Sequence, residues 1–257
     1  MRLAVLMSAK ANYNETQIVA ACRIANALDL PLAGIATSED TLQYYTVGAG
    51  TYAATASQSV ALVENRLESF ATQFKQTCAE AEVAHEWIGI HGFMRTEWQS
   101  LSPYFDLAIV VPPLNAPEIA TCGIAGTMQI PDEHDSGVFN GRCLIAWDGS
   151  PEVARAVRVA TPLIQRFATV DVLIIDPQSR TQPHDIGSYL GSHDISANIL
   201  REPSSGSSVS TLILEAANEA DLVILGAYGV SITLERLFGG VTERLRRACK
   251  TPVIYAN

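Results

Sequence analysis

Short aliphatic runs alternate along the chain with longer stretches in which apolar residues recur every three or four positions. Runs of strand length fall at residues 3–8, 31–37, 85–90 and 106–111, and again at 143–147, 170–176, 196–200, 222–225 and 252–255. The helical pattern lies between them. Ile18, Ala21, Cys22 and Ala25 share one face behind a cap at Asn14 or Thr16. Residues 57–81 predict a long amphipathic helix through Val60, Val63, Leu67, Phe70 and Phe74, and 95–104 a shorter one. Ser150-Pro151-Glu152 is a helix start with its cap, first-turn proline and acidic residue in order, and Val153, Val157, Ala160 and Ile164 follow as the apolar face. A short helix ends near Ser192, Ser208 caps residues 209–219, and residues 242–250 form the last helix. Residues 38–56, with Tyr44, Tyr45 and the Gly48-Ala49-Gly50 turn, read as an inserted loop, either a lid, an interaction surface or a passive connection. Residues 115–140 are less regular: a short helix near 117–128, then a linker at 132–140.

The pattern repeats. Arg2-Leu-Ala-Val-Leu matches Arg142-Cys-Leu-Ile-Ala, and Asp106-Leu-Ala-Ile-Val-Val matches Asp221-Leu-Val-Ile-Leu-Gly. Both halves run β-α-β-α-β-α-β, which implies parallel sheets with right-handed crossovers. The predicted fold class is therefore α/β, with two tandem doubly wound parallel-sheet domains at residues 1–138 and 139–257. The 257 residues exceed the roughly 100–200 of one ordinary domain. A duplicated unit packs like a homodimer, so the expected arrangement is a pseudo-dimer within the chain, open to further homodimerisation. Residues 252–255 are expected to close the sheet.

Composition narrows the class. Hydrophobic residues make up 48% of the chain, ample for cores, yet no window is long and apolar enough for a membrane span. The first apolar run is too short for a secretory signal, which leads to the expectation of a cytoplasmic protein without a membrane partner. A net charge of −10 opposes nucleic-acid binding. Five cysteines, with no C-x-x-C pair and no clustered histidines, read as reduced, buried thiols, with no metal site.

The candidate chemistry lies in glycines. Gly226 and Gly229 follow the 222–225 run, and Gly239, Gly240, Val241 and Thr242 precede the last helical pattern. Glycine lets backbone N–H groups approach an anion, and a helix amino terminus adds partial positive charge. The competing reading is ordinary turn glycines of an α/β protein. Asp148 ends a strand at the carboxyl edge of a parallel sheet, where ligands bind in such folds; the competing role is a turn residue before the next helix.

With Ala146-Trp147-Asp148-Gly149-Ser150, Val172-Leu-Ile-Ile175-Asp176 and the G-x-x-G-x9-G motif, residues 142–257 resemble a universal stress protein (UspA-type) domain. The first half resembles it in layout only. The resemblance implies an adenine-nucleotide-alpha-hydrolase-like fold and binding of ATP, with Mg²⁺ as companion ion. The implied site comprises Ala146, Asp148, Ile175, Gly226, Gly229, Gly239, Gly240, Val241 and Thr242. One position departs: the family pattern has Ser or Thr where Gly240 stands. A hydrogen bond to a charged group is worth roughly 1.5–3 kcal/mol, so the departure weakens binding about tenfold to a hundredfold. Backbone amides of 240–242 and the Thr242 hydroxyl remain. In the first half Val111-Pro112-Pro113-Leu114 replaces G-x-x-G and Ser8-Ala9-Lys10 replaces the acidic turn, so no nucleotide is expected there.

Arg236, inside the glycine-bounded loop, is the better phosphate candidate; Arg244 is a second, and Arg246 and Arg247 read as structural last-turn cations. His184 and His193, with Asp185 and Asp194, read as polar loop residues. No catalytic residue is assigned, since no nucleophile has an identifiable base. Activity is expected to be at most slow ATP hydrolysis. The alternative is a non-nucleotide interaction scaffold with an unknown protein partner.

Overall fold

The computed structural model describes residues 1–9, 11–38, 53–131, 140–175, 185–227 and 240–257, with backbone alone for 53–63. The first half runs β1 (Leu3–Ser8), α1 (Glu15–Leu28), β2 (Leu32–Thr37), α2 (Ala53–Glu80), β3 (His85–Ile90), α3 (Met94–Leu101), a 3-10 turn (Ser102–Tyr104), β4 (Leu107–Val110), α4 (Ala116–Ala120) and β5 (Gly126–Gln129). The second runs β6 (Arg142–Ala146), α5 (Pro151–Ile164), β7 (Thr169–Ile175), α6 (Ile186–Gly191), β8 (Asn198–Glu202), α7 (Val209–Ala217), β9 (Leu222–Gly226), α8 (Val241–Ala248) and β10 (Val253–Ala256).

Every residue of β1, β2, β4 and β10 is buried, as continuous aliphatic runs demand when helices cover both faces of a sheet. The ten strands form one sheet in the order β3-β2-β1-β4-β5-β10-β9-β6-β7-β8. Read outward from its middle, each half has the same order: 5-4-1-2-3 and 10-9-6-7-8. The join is the antiparallel pair β5–β10, with Ile254 opposite Met128, while the pairs within each half are parallel. Residues 252–255 were expected to close the sheet; instead β10 lies at its centre, because β5 offers it a second partner.

The helices sort by face, each core taking helices from both halves. Ile18, Phe74, Val153 and Leu190 bring α1, α2, α5 and α6 into one core. Trp98, Ile119, Ile213 and Leu245 bring α3, α4, α7 and α8 into the other. Local chemistry explains many of the ends. Asn14 accepts from the Gln17 amide and Ser150 from the Val153 amide, each cap worth about 1 kcal/mol. The repeated Arg and Asp have a shared job as well. Asp106 accepts the Arg2 backbone amide at 2.6 Å, and Asp221 the Arg142 amide at 2.7 Å. In each half the acid before the fourth strand fixes where the first strand begins.

Several expectations need correction. Residues 117–128 are not one helix: α4 ends at Ala120, and Gly126–Gln129 is a strand. Gly-Thr-Met-Gln has little strand character of its own; it is drawn into the sheet by templates on both sides, Leu107 facing Gly126 and Val253 facing Gln129. β8 begins two residues later than expected and takes in Arg201 and Glu202, which an edge strand tolerates because it is wet on one side. α2 starts at Ala53, inside the segment read as loop, and the 95–104 helix tightens to a 3-10 turn after Leu101. The rest of the 38–56 insertion and most of the 132–140 linker lie outside the described residues.

Candidate functional site

In each half the strand order reverses direction between the first and fourth strands, which opens a crevice beyond their carboxyl ends. In the second half this point lies between β6 and β9, where Ile145 faces Ile224. Ala146 ends β6 half-buried, and Ile175 ends the neighbouring β7, also half-buried. Asp148 is exposed, and its Oδ1 accepts from the Ser150 amide at 2.9 Å. Gly149 has φ +77°, a left-handed turn that favours glycine. Asp148 therefore does perform the turn role weighed against ligand contact, and its carboxylate is held at the crevice rim while doing so.

Gly226 ends β9. A Cβ there would stand 2.9 Å from both the Val153 amide nitrogen and Glu152 Cβ. Glycine is thus required by the close approach of the first turn of α5, a partner the sequence pattern did not reveal. α8 begins with Gly240 as its N-cap, at φ −52° and ψ 170°, with no side-chain cap bond. Val241 is half-buried and Thr242 is 2% exposed. The Thr242 hydroxyl is accordingly sheltered within the fold and not displayed at the rim. Gly229, Gly239, Arg236, Tyr228 and Phe238 lie outside the described residues.

The charges around α8 are mutually occupied. Glu243 accepts from Arg246 at 2.8 and 2.9 Å and from Arg247 at 2.6 Å. The Arg246 hydrogen bonds, chiefly, hold the Glu243 carboxyl down at about 2. Arg244, named as a phosphate candidate, donates to Ser208 at 2.9 Å and to Ser210 at 3.1 Å, tying α8 to the start of α7. His193 packs on the Tyr189 ring at 4.8 Å and its carbonyl accepts from Gln165. His184 lies outside the described residues. Among the described residues no group of three or more His, Cys, Asp or Glu could hold a metal ion.

The first-half crevice is built differently. Val111 is buried at the end of β4, and Pro112-Pro113, joined by a cis bond, offer no N–H groups. The next helix is closed: Asn115 accepts from the Glu118 amide and Pro117 occupies its first turn. Asn115-Ala-Pro-Glu118 carried that cap legibly, although it was not singled out.

No protein-family model matches the chain, and no curated protein matches it. Solved structures share its fold. A universal stress protein of Archaeoglobus fulgidus DSM 4304 superposes with a TM-score of 0.75 at 14% identity, covering 99% of this chain and 96% of that one. A candidate universal stress protein of Pseudomonas aeruginosa UCBPP-PA14 gives 0.55 at 13% identity over 100% and 93%. The cytoplasmic domain of a prokaryotic cation chloride cotransporter gives 0.51 at 13% identity over 99% and 95%. At such identities the likeness is one of fold, and the fold is that of the universal stress proteins. No helix among the described residues is long and apolar enough to cross a membrane.

Proposed function

We propose that the chain is a tandem universal-stress-type protein whose second half, residues 139–257, binds an adenine nucleotide, ATP with Mg²⁺, while the first half, residues 1–138, does not. The observation that carries this reading is the start of α8. Five helices, α1, α4, α5, α6 and α7, are each closed by an Asn, Ser or Asp side chain accepting a first-turn amide. α8, the next described helix after the switch-point strand β9, instead begins at a glycine. α3 also lacks a side-chain cap, but it follows the edge strand β3. A helix start whose N-cap residue carries no side chain suits a phosphate, with Gly226, Gly240, Val241 and Thr242 as described members of the site and Gly229 and Gly239 as the members the resemblance adds. Ala146, Asp148 and Ile175 stand where the adenosine end would rest.

Calorimetric titration of the full chain with MgATP tests this. The expected result is one site per chain, tightened about tenfold to a hundredfold by Gly240→Ser, which restores a hydroxyl donor. Absence of heat and of any thermal shift at millimolar nucleotide would overturn it. A second reading is a scaffold that binds a protein partner and no nucleotide. It is favoured by Gly226, whose missing Cβ is fully accounted for by α5, and by a neighbour that is a transporter's cytoplasmic domain. Nucleotide released from denatured, freshly purified protein would exclude that reading.

A further inference from the structure

Cys22 lies in α1 and Cys78 in the last turn of α2, 56 positions apart, yet their sulfurs are 3.7 Å apart. Both are fully buried. The other three cysteines are placed differently. Cys122 donates to the Glu118 carbonyl, Cys249 to the Thr251 carbonyl, and Cys143 is enclosed in β6. This is the one sulfur pair brought together among the described residues, and neither the nucleotide reading nor the scaffold reading uses it.

We propose that Cys22 and Cys78 form a reversible redox pair, whose two-electron oxidation by a hydroperoxide joins them in a disulfide that clamps α1 to the carboxyl end of α2. The sulfurs are already in contact. A bond of about 2.05 Å requires them to approach by roughly 1.7 Å, on the scale of side-chain rotation. Both backbone segments are well anchored for this. Tyr13, just before α1, packs edge-on against Phe70 of α2 at 5.5 Å and hydrogen-bonds Thr77 at 3.1 Å. The Val83 amide closes the end of α2 on the Cys78 carbonyl at 2.9 Å.

The two thiols are not equivalent. The hydrogen bond between them favours the thiolate at Cys22, lowering its pKa, and holds Cys78 protonated, raising its own; burial adds to the latter. Cys22 is taken as the attacking sulfur and Cys78 as the resolving one; either sulfur can donate the hydrogen bond between them, and the reverse order gives the same disulfide. The Cys22 thiolate attacks one peroxide oxygen, the O–O bond breaks, and the departing oxygen takes a proton to leave as alcohol or water. The Cys78 sulfur then attacks the resulting Cys22 sulfenic acid, loses its proton, and the hydroxyl leaves as water. In sum two thiols lose two electrons and two protons, and one hydroperoxide becomes one alcohol and one water. Burial sets the rate, since the oxidant enters only when the α1–α2 contact opens locally.

The test is oxidation of the purified full chain with hydrogen peroxide, followed by thiol blocking, digestion and peptide mapping. The expected product is a Cys22–Cys78 cross-linked peptide that dithiothreitol reverses. The thermal midpoint of the oxidised protein should rise by about 5–10 °C, as closure of a long loop implies. In Cys78→Ser, dimedone should trap a sulfenic acid at Cys22, while Cys143→Ser should still form the cross-link. Stable sulfinic or sulfonic acid at Cys22 in the unsubstituted chain would overturn the proposal. So would a missing cross-link in dilute urea that opens the helix pair, or a cross-link without a midpoint shift. The mapping on unsubstituted protein stands even where a variant fails to fold.

Discussion

The ends of β4 and β9 occupy equivalent places in a strand order that is the same in both halves, but they are finished in opposite ways. β9 runs into Gly226, against which the first turn of α5 presses, and the next described helix has a glycine, without a side chain, at its N-cap. β4 runs into Val111 and two prolines, and the helix that follows is sealed by Asn115. The strand interiors explain why both finishes are tolerated. Leu107, Ile109, Val223 and Ile224 are fully buried in either half, and that burial, at roughly 25 cal/mol per Å² of apolar surface, holds the sheet whatever its rim does. The rim is left to chemistry. One rim ends in a glycine, and the next described helix has a glycine N-cap; the other ends in two prolines that offer no N–H, and its next helix is closed by Asn115.

The sharpest way to break the comparison is to exchange finishes. Gly226→Val drives a branched side chain into the Val153 backbone and should cost about 3 kcal/mol or more, lowering the midpoint by roughly 6–12 °C. Val111→Ala at the equivalent rim leaves a small cavity and should cost about 1–2 kcal/mol. Equal melting of the two variants would refute the close-approach account.

Next in size is the acid response of α8, which has no equivalent in α4, a helix without arginine. Glu243 has its folded pKa depressed to about 2 from an ordinary 4.5. Its contribution is fully present above pH 4.5 and is lost as pH falls through about 2. With solvent screening at the exposed Arg247, the loss should be about 1–2 kcal/mol. Melting curves between pH 4.5 and 2 should fall more steeply for the unsubstituted chain than for Glu243→Gln.

Asn115→Ala removes the side chain that closes α4 and should cost about 1 kcal/mol in urea denaturation. Should it also create nucleotide binding in the first half, the prolines would be shown to matter less than the cap. The smallest stability change is expected from Gly240→Ser, which gives α8 a cap and should add only a few tenths of a kcal/mol. A large stabilisation without nucleotide would mean that the start of α8 is unsatisfied in the free protein for a reason other than ligand binding.

Much of the fold was legible because its signals are local. Ser150 and Ser208 were read as caps, and Asn14 as one of two candidates with Thr16, and each of the three accepts a first-turn amide. His85–Ile90 was read to the residue, and Val153, Val157, Ala160 and Ile164 are buried as their spacing implies. β5 was not legible, since Gly-Thr-Met-Gln becomes a strand only between β4 and β10. Of the nine candidate site residues, Ala146, Asp148, Ile175, Gly226, Gly240, Val241 and Thr242 fall at strand ends, in the turn after β6, or at the start of α8. What presses on Gly226, and how deeply Thr242 sits, were hidden until the helices were packed.

By itself the sequence determined which segments are strands and helices in most of the chain, where many of the helices start, and that one pattern occurs twice. Those properties depend on residues within about four positions of each other, through capping bonds and side-chain periodicity. Tertiary structure alone decided that β10 is central, that two cysteines 56 positions apart touch, and that a glycine read as an anion site is also a packing necessity. Each of these depends on which distant segment arrives as a neighbour, and a local pattern carries no record of that.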